Sequence, residues 1–289
     1  MKHILITGSD TGIGKYLTLE LANNKEHIYA GVLHDGSTES FSEFENITPV
    51  KLDVTKTTQI SSALDIIKEK GTGLDVLINN AGIIVGGPMV DIPEEMLMEC
   101  LDVNVLGVYR VTKAFFPLLL ESKGRIINMS SMAGLFSPPF LGAYCMTKHA
   151  LEAYSDSIRR ELGPLGMKVS IIEPDDIKTP IFERASEGVE NLKKWVSNTF
   201  KERAINYLGY KAWKGPRMGM EIQSIRKPVF DAIYSENPRM RYVIVPSRIE
   251  FMIAKAMNDK MLDRMSLKKE EKYKKKMEER GATTKRPSN

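Results

Sequence analysis

Tyr144-Cys145-Met146-Thr147-Lys148 lies inside a helical pattern, so a phenol and an ammonium four residues apart share one face, their Cβ atoms about 5–6 Å apart. A tyrosine with an ordinary pKa of about 10 needs about 4 kcal/mol of help to ionise near neutrality. An ammonium about 4 Å away supplies that much at an effective dielectric near 20. Tyr144 is therefore a candidate general acid or base with Lys148 as its tuner. Ser131 follows a strand-like run, Ile-Ile-Asn-Met-Ser-Ser, thirteen residues earlier. The two cysteines, Cys100 and Cys145, make no disulfide framework, and no Cys/His cluster has zinc spacing. A reducing compartment and a metal-free site are expected.

A second constellation sits at the start of the chain. Thr7-Gly8-Ser9-Asp10-Thr11-Gly12-Ile13-Gly14 follows a strand signal and opens a helical pattern, Lys15 to Asn23. In that context glycines let the backbone turn and approach a pyrophosphate, which the helix N-terminus then attracts. After the second strand the chain reads Ala30-Gly31-Val32-Leu33-His34-Asp35. Neither this turn nor the glycine loop offers a fixed cation, and Asp10 and Asp35 would repel an extra phosphate dianion. NAD is favoured as cofactor, with NADP left open.

Such residues must be held by a sheet. Short apolar runs alternate with amphipathic ones, placing strands near His3–Thr7, Ile28–Leu33, Pro49–Asp53, Val76–Asn79, Arg125–Met129 and Lys168–Glu173, with another near Arg241–Val245. This predicts an α/β fold, a doubly wound parallel sheet of Rossmann type in a single domain spanning residues 1–262. Residues 180–238 interrupt the rhythm and are expected to form a helical lid over the carboxyl edge. From Ile249 a last helix should fray near Glu278, making residues 263–289 a charged, flexible tail. The stretch Lys268 to Arg286 carries nine Lys/Arg against four Glu, more than the whole chain's net charge of +4. The remaining domain is near neutral, which argues against nucleic acid as a partner. The basic tail is read as solvated rather than as a peripheral membrane contact. The apolar run Ala114 to Leu120 is too short to span a bilayer, the N-terminus lacks a secretory signal pattern, and a cytoplasmic protein is expected.

Taken together, these motifs resemble the short-chain dehydrogenase family: Thr-Gly-x-x-x-Gly-x-Gly, Asn79-Asn80-Ala81-Gly82 after the fourth strand, Asp53 in Leu-Asp-Val-Thr, Ser131, and Tyr-x-x-x-Lys. The resemblance implies that Gly8, Asp10, Thr11, Gly12, Ile13, Gly14, His34, Asp53, Val54, Asn80, Ala81, Gly82, Pro174, Ile177 and Thr179 surround the cofactor, with Tyr144 and Lys148 also touching it. It implies further that Ser131 and Tyr144 hold the substrate oxygen, and that Asn104, in Leu-Asp-Val-Asn-Val, anchors a relay water through its backbone. One position departs: the family's Pro-Gly reads Pro174-Asp175, so a modest loss of cofactor affinity is expected, because Gly tolerates positive φ and Asp does so at a cost. The runs Ala-Gly-Val-Leu, Leu-Asp-Val-Asn-Val-Leu-Gly-Val and Tyr154 to Leu162 resemble the retinol, hydroxysteroid and hydroxybutyrate dehydrogenase group. That implies hydride exchange between a nicotinamide cofactor and an alcohol or ketone, in a homodimer or homotetramer. Phe182, Trp195, Phe200, Tyr207, Tyr210 and Trp213 suit a lipophilic, steroid- or retinoid-like substrate. They suit a packed core equally, so a small hydroxy acid stays open, as does a catalytically weak cofactor sensor.

Overall fold

A computed structural model describes residues 1–284, with side chains described through Arg280. Seven parallel strands form one sheet in the order β3-β2-β1-β4-β5-β6-β7. They are β1 (His3–Thr7), β2 (His27–Val32), β3 (Ile47–Lys51), β4 (Val76–Asn79), β5 (Arg125–Met129), β6 (Lys168–Pro174) and β7 (Arg241–Ile244). Buried apolar residues run almost unbroken along β1 and β4, as parallel strands covered on both faces require. β3 begins two residues earlier than the sequence pattern suggests; its Pro49 is tolerated because β3 is an edge strand, paired only with β2.

One face is covered by α1 (Gly12–Asn23) and the other by α2 (Thr57–Glu69). A continuous helix, α3 (Glu94–Leu101), a π-helical stretch Asp102–Gly107 and α4 (Val108–Glu121), joins the second face, followed by α5 (Gly142–Leu162). By length and composition this 28-residue helix is apolar enough to cross a membrane. Its apolar residues Val111, Phe115, Leu118 and Leu119 are instead buried in the core beneath the sheet.

The region expected to be one lid divides in two. α6 (Ile181–Trp195) and α7 (Lys201–Met218) pack on each other and rise from the carboxyl edge, around Leu192, Ala204 and Tyr207. In contrast α8 (Arg226–Tyr234) buries Val229, Ala232 and Ile233 in the same core as β1 and β6, so it covers the sheet rather than the cleft. After α9 (Arg248–Ala256), helix α10 (Asp259–Thr284) corrects the expectation of a flexible tail from residue 263. Tyr273 is 4% exposed, with ring centroids 5.1 Å from Tyr207 and 4.4 Å from Tyr210. Arg203 and Lys274 pair with Glu270 and Glu202 across the α7–α10 seam. The charge pattern hid a single buried aromatic per several turns, which is enough to dock a helix. The last five residues of the expected tail lie outside the described residues.

Candidate active site

The sheet order reverses between β1 and β4, and the crevice beyond their carboxyl ends is where ligands of doubly wound sheets bind. A cleft of about 1300 Å³ opens there. Its floor at β1 is the glycine loop. Gly8 and Gly12 take φ of +69° and +56°, values open to glycine at little cost. At Gly14 an added Cβ would stand 2.1 Å from the Gly8 carbonyl and 2.6 Å from Asn80 Nδ2, so the helix packs against the loop with no room for a side chain. Thr11 starts α1 without a side-chain cap, and no acid lies in the first turn. Backbone N–H groups at an uncapped, unopposed N-terminus are suited to a pyrophosphate. Asp10 does not oppose them: its carboxylate accepts from Leu33 N (2.8 Å), His34 N (2.9 Å) and Ser37 Oγ (2.9 Å), tying the glycine loop to the turn after β2.

Asn80 fastens the same floor from β4. Its Nδ2 donates to the carbonyls of Thr7 (2.9 Å) and Gly8 (3.1 Å), while Thr7 Oγ1 accepts from the N–H groups of Asn80 and Ala81. Asp53 bends the chain after β3 by accepting from Thr55 N at 2.9 Å and Thr55 Oγ1 at 2.7 Å. A buried polar chain crosses the middle of the sheet, Asn79 Nδ2 to Asn128 Oδ1 (2.9 Å) and Asn128 Nδ2 to Ser155 Oγ (2.8 Å), fastening α5 to β5. Gly8, Asp10, Thr11, Gly12, Ile13, His34, Asp53, Val54, Asn80, Ala81, Gly82, Pro174, Ile177 and Thr179 all line the cleft. Gly14 does not; its part is to let the loop close.

Ser131, Tyr144 and Lys148 reach the same cleft from the end of β5 and from α5. Ser131 caps a short turn, accepting from Ala133 N at 3.2 Å, its hydroxyl donates to the Pro174 carbonyl at 3.4 Å, and it acts to lower the pKa of the Tyr144 phenol. Lys148 Nζ donates to the Met129 carbonyl at 2.8 Å and lies 5.6 Å from the Tyr144 ring centroid. Burial lowers the Lys148 pKa to about 8, opposed by Cys100 and Glu152. Burial also raises Tyr144 above its usual value, opposed by Ser131, so the expected lowering of the phenol is not a property of the protein alone. Tyr144 is a neutral acid there, and the positive charge of a bound nicotinamide has to supply the rest.

Asn104 is 1% exposed and sits inside the π-helical stretch, away from the cleft wall. Its side chain is spent on structure: Oδ1 accepts from Ile83 N (2.8 Å), and Nδ2 donates to Ile83 O (2.9 Å) and Thr147 Oγ1 (3.0 Å). A π stretch changes the backbone hydrogen-bond ladder and often marks functional sites. Gly107 closes the stretch, where a Cβ would stand 2.6 Å from Val54 Cγ2.

Asp175 corrects an expectation. It is not among the residues with positive φ, and its N–H extends the sheet by donating to the Ile244 carbonyl at 2.9 Å. The backbone strain that glycine would have relieved is absent. Its neighbour Asp176 pairs with Lys211 at 3.3 Å. Of the six lid aromatics, Phe182 and Tyr207 line the cleft, whereas Trp195, Phe200, Tyr210 and Trp213 pack in the lid's own core. Val85, Phe136, Leu141, Leu208 and Phe251 complete an apolar wall, and α10 adds Leu262, Met265 and Lys269, a contribution the sequence did not reveal.

A profile of the family described as short chain dehydrogenase matches residues 2–190. The chain is a short-chain dehydrogenase. It is 38% identical over 207 residues to mouse (Mus musculus) retinol dehydrogenase 7, covering 70% of this chain and 65% of that protein, just under two thirds of its length. It is 38% identical over 183 residues to the mitochondrial D-beta-hydroxybutyrate dehydrogenase of Bos taurus, covering 60% and 53%. Near its full length, 93% of this chain and 97% of the other, it is 30% identical to an NADPH-dependent 3-dehydrocapnine reductase of Ornithobacterium rhinotracheale. The short-chain dehydrogenase from Burkholderia phymatum solved with NAD superposes with a TM-score of 0.77 at 21% identity, covering 91% and 95% of the two chains, and shares the fold. This short-chain dehydrogenase thus belongs with the retinol and hydroxybutyrate relatives, and its cleft fits a nicotinamide dinucleotide.

Proposed function

We propose that this short-chain dehydrogenase moves hydride between NAD and the carbinol carbon of a secondary or lipophilic alcohol, or the corresponding carbonyl compound, of steroid- or retinoid-like chemistry. The observation that carries this reading is the convergence of Ser131, Tyr144 and Lys148 at one end of a cleft whose outer wall is Val85, Phe136, Leu141, Phe182, Leu208 and Phe251. When bound, the nicotinamide supplies the hydride acceptor or donor. Ser131 and Tyr144 hold the substrate oxygen. In oxidation, Tyr144 takes the hydroxyl proton at its phenolate oxygen; in reduction, its phenol gives one to the carbonyl oxygen. Lys148, steadied by the Met129 carbonyl, stabilises the phenolate. Asn104 braces the turn at Ile83 that faces this group. NAD is favoured over NADP because the Asp10 carboxylate occupies the turn after β2, where a 2′-phosphate would need a cation.

A small hydroxy acid is the second reading, favoured by Lys211 and Lys269 on the cleft wall. Lys269 makes no ion pair among the described residues, though it lies 5.8 Å from the Tyr273 ring centroid. Cytoplasmic residence and assembly into a homodimer or homotetramer complete the proposal; both cysteines are unpaired and buried, which suits a reducing compartment. Fluorescence titration with NADH and NADPH, followed by turnover of steroid, retinoid and hydroxy-acid alcohols, tests it. Tighter NADH binding with oxidation of a lipophilic alcohol supports the reading; tighter NADPH binding, or turnover confined to hydroxy acids, overturns it.

A further inference from the structure

Behind the catalytic lysine lies a group of charges that the reaction described above does not use. Lys148, Glu152 and Asp156 recur every four residues along α5 and so share one face. Glu173, on β6, is 0% exposed and Glu152 is 7% exposed. Arg241, on β7, is the cation between them, donating from Nη2 to Glu152 Oε2 at 3.2 Å and standing 3.2 Å from Glu173 Oε1. Its Nη1 is turned to Asp156 at 3.2 Å, which Arg159 also holds at 3.2 Å. Two buried carboxyls therefore compete for one guanidinium. Glu152 Oε1 and both Glu173 oxygens receive no hydrogen bond among the described residues.

Buried acceptors without donors are costly, and two neighbouring carboxylates in a poorly solvated pocket resist ionising together. One proton resolves both problems. It supplies a donor to the pair of carboxyls that Arg241 brings together, 3.2 Å from each, and leaves one negative charge to match that guanidinium. The pair is also connected to the active site. Glu152 is one helical turn from Lys148. Ser130, adjacent to the Met129 carbonyl that Lys148 grips, has its Oγ 2.9 Å from the point where a Gly134 Cβ would stand, and Glu152 Oε1 is 3.2 Å from that same point. Gly134 keeps this passage free of a side chain.

We propose that Glu152 and Glu173 share a single proton at neutral pH and release it as the pH rises, so that the added negative charge keeps Lys148 protonated: a positioning pair for the catalytic lysine. The inference rests on Lys148 serving Tyr144 as described. The groups facing the pair are Arg241 from β7, Lys148 and Asp156 from α5, and Lys255 from α9, and Glu173 is raised to about 7, by burial first and then by Glu152. At acid pH the pair carries one negative charge; at alkaline pH it carries two. Replacing either glutamate by glutamine removes the second negative charge, and Lys148 then loses its proton earlier.

Infrared titration of the full chain from pH 5 to 9 tests the sharing. The wild type is expected to lose one protonated-carboxyl band with a midpoint near neutrality; Glu173→Gln is expected to lack it, and in Glu152→Gln its midpoint is expected to fall. A wild type without such a band, or a midpoint unmoved in Glu152→Gln, overturns the shared proton. The coupling is read on the Lys148 Cε resonance, whose titration should move down by about half a pH unit or more in both variants. An unmoved resonance in folded variants overturns the positioning role. Neither readout needs turnover, so their failure is distinguishable from failure of the dehydrogenase reading.

Discussion

Lys148 Nζ stands 5.6 Å from the centre of the Tyr144 ring while donating at 2.8 Å to the Met129 carbonyl. The anchor belongs to β5, so the sheet fixes the ammonium and the helix fixes the phenol. Burial pushes the two in the directions that catalysis must reverse: Tyr144 upward and Lys148 downward, to about 8. The protein alone holds a protonated phenol beside a readily discharged lysine, and occupation of the cleft sets the working state.

Tyr144→Phe removes the transferable proton and leaves the ring in place. Turnover should fall by at least about 10²–10⁴-fold, with NADH affinity changed less than about threefold. Steady-state kinetics beside fluorescence titration checks both, and retained turnover would sink the assignment.

Gly14→Ala places a methyl 2.1 Å from a backbone carbonyl that cannot step aside. A loss of about 1–3 kcal/mol in urea unfolding, with weaker NADH binding, is expected. Gly36→Ala, where a Cβ meets nothing within 4 Å, serves as the silent control.

Asp10→Ala deletes the acceptor of the Leu33, His34 and Ser37 hydrogen bonds. With the carboxylate gone, the proposed preference for NADH over NADPH should narrow by about tenfold, or about 1.4 kcal/mol. Dissociation constants for the two cofactors decide it, and an unchanged ratio would remove Asp10 as the discriminator.

Glu173 gives stability a pH dependence of definite sign. Its folded value is raised from 4.5 to about 7, so its contribution is full below pH 4.5 and is lost as the pH climbs through 7. Urea midpoints should fall between pH 5 and pH 8 by the equivalent of about 2–3 kcal/mol, and Glu173→Gln should flatten that slope. The low value of Lys148 acts in the opposite direction and at higher pH, between about 8 and its ordinary 10.5.

Tyr273→Ala tests the docking of α10. Removing a ring that is 4% exposed should cost about 3 kcal/mol, whereas Lys268→Ala, on the open side, should stay within about 0.5 kcal/mol of wild type. Equal effects would contradict the packed helix.

Legibility in the sequence followed locality. β1, β4 and β5 were readable to the residue because short apolar runs end at Gly8, Asn80 and Ser130-Ser131. Tyr144 and Lys148 were readable because helix periodicity puts them on one face, and Ser131 through the family resemblance. Asp175 was misjudged because its backbone is governed by pairing with Ile244, a strand far along the chain. The lid's limit was misplaced because α8 and α7 differ in what they pack against, not in composition. Lysine-rich α10 looked solvated since one tyrosine facing Tyr207 and Tyr210 leaves almost no mark on a periodicity.

That α10 forms part of the cleft wall has a consequence for biosynthesis. The glycine loop, Asn80, Ser131 and Tyr144 all lie within the first half of the chain, whereas Leu262, Met265 and Lys269 emerge only after the sheet has been translated. A nascent chain on the ribosome would hold the glycine loop and its Asn80 brace well before the α10 part of the wall exists. On the proposed reading, substrate selection is the last competence the molecule acquires, and a C-terminal lesion is expected to spare cofactor binding while loosening discrimination among substrates.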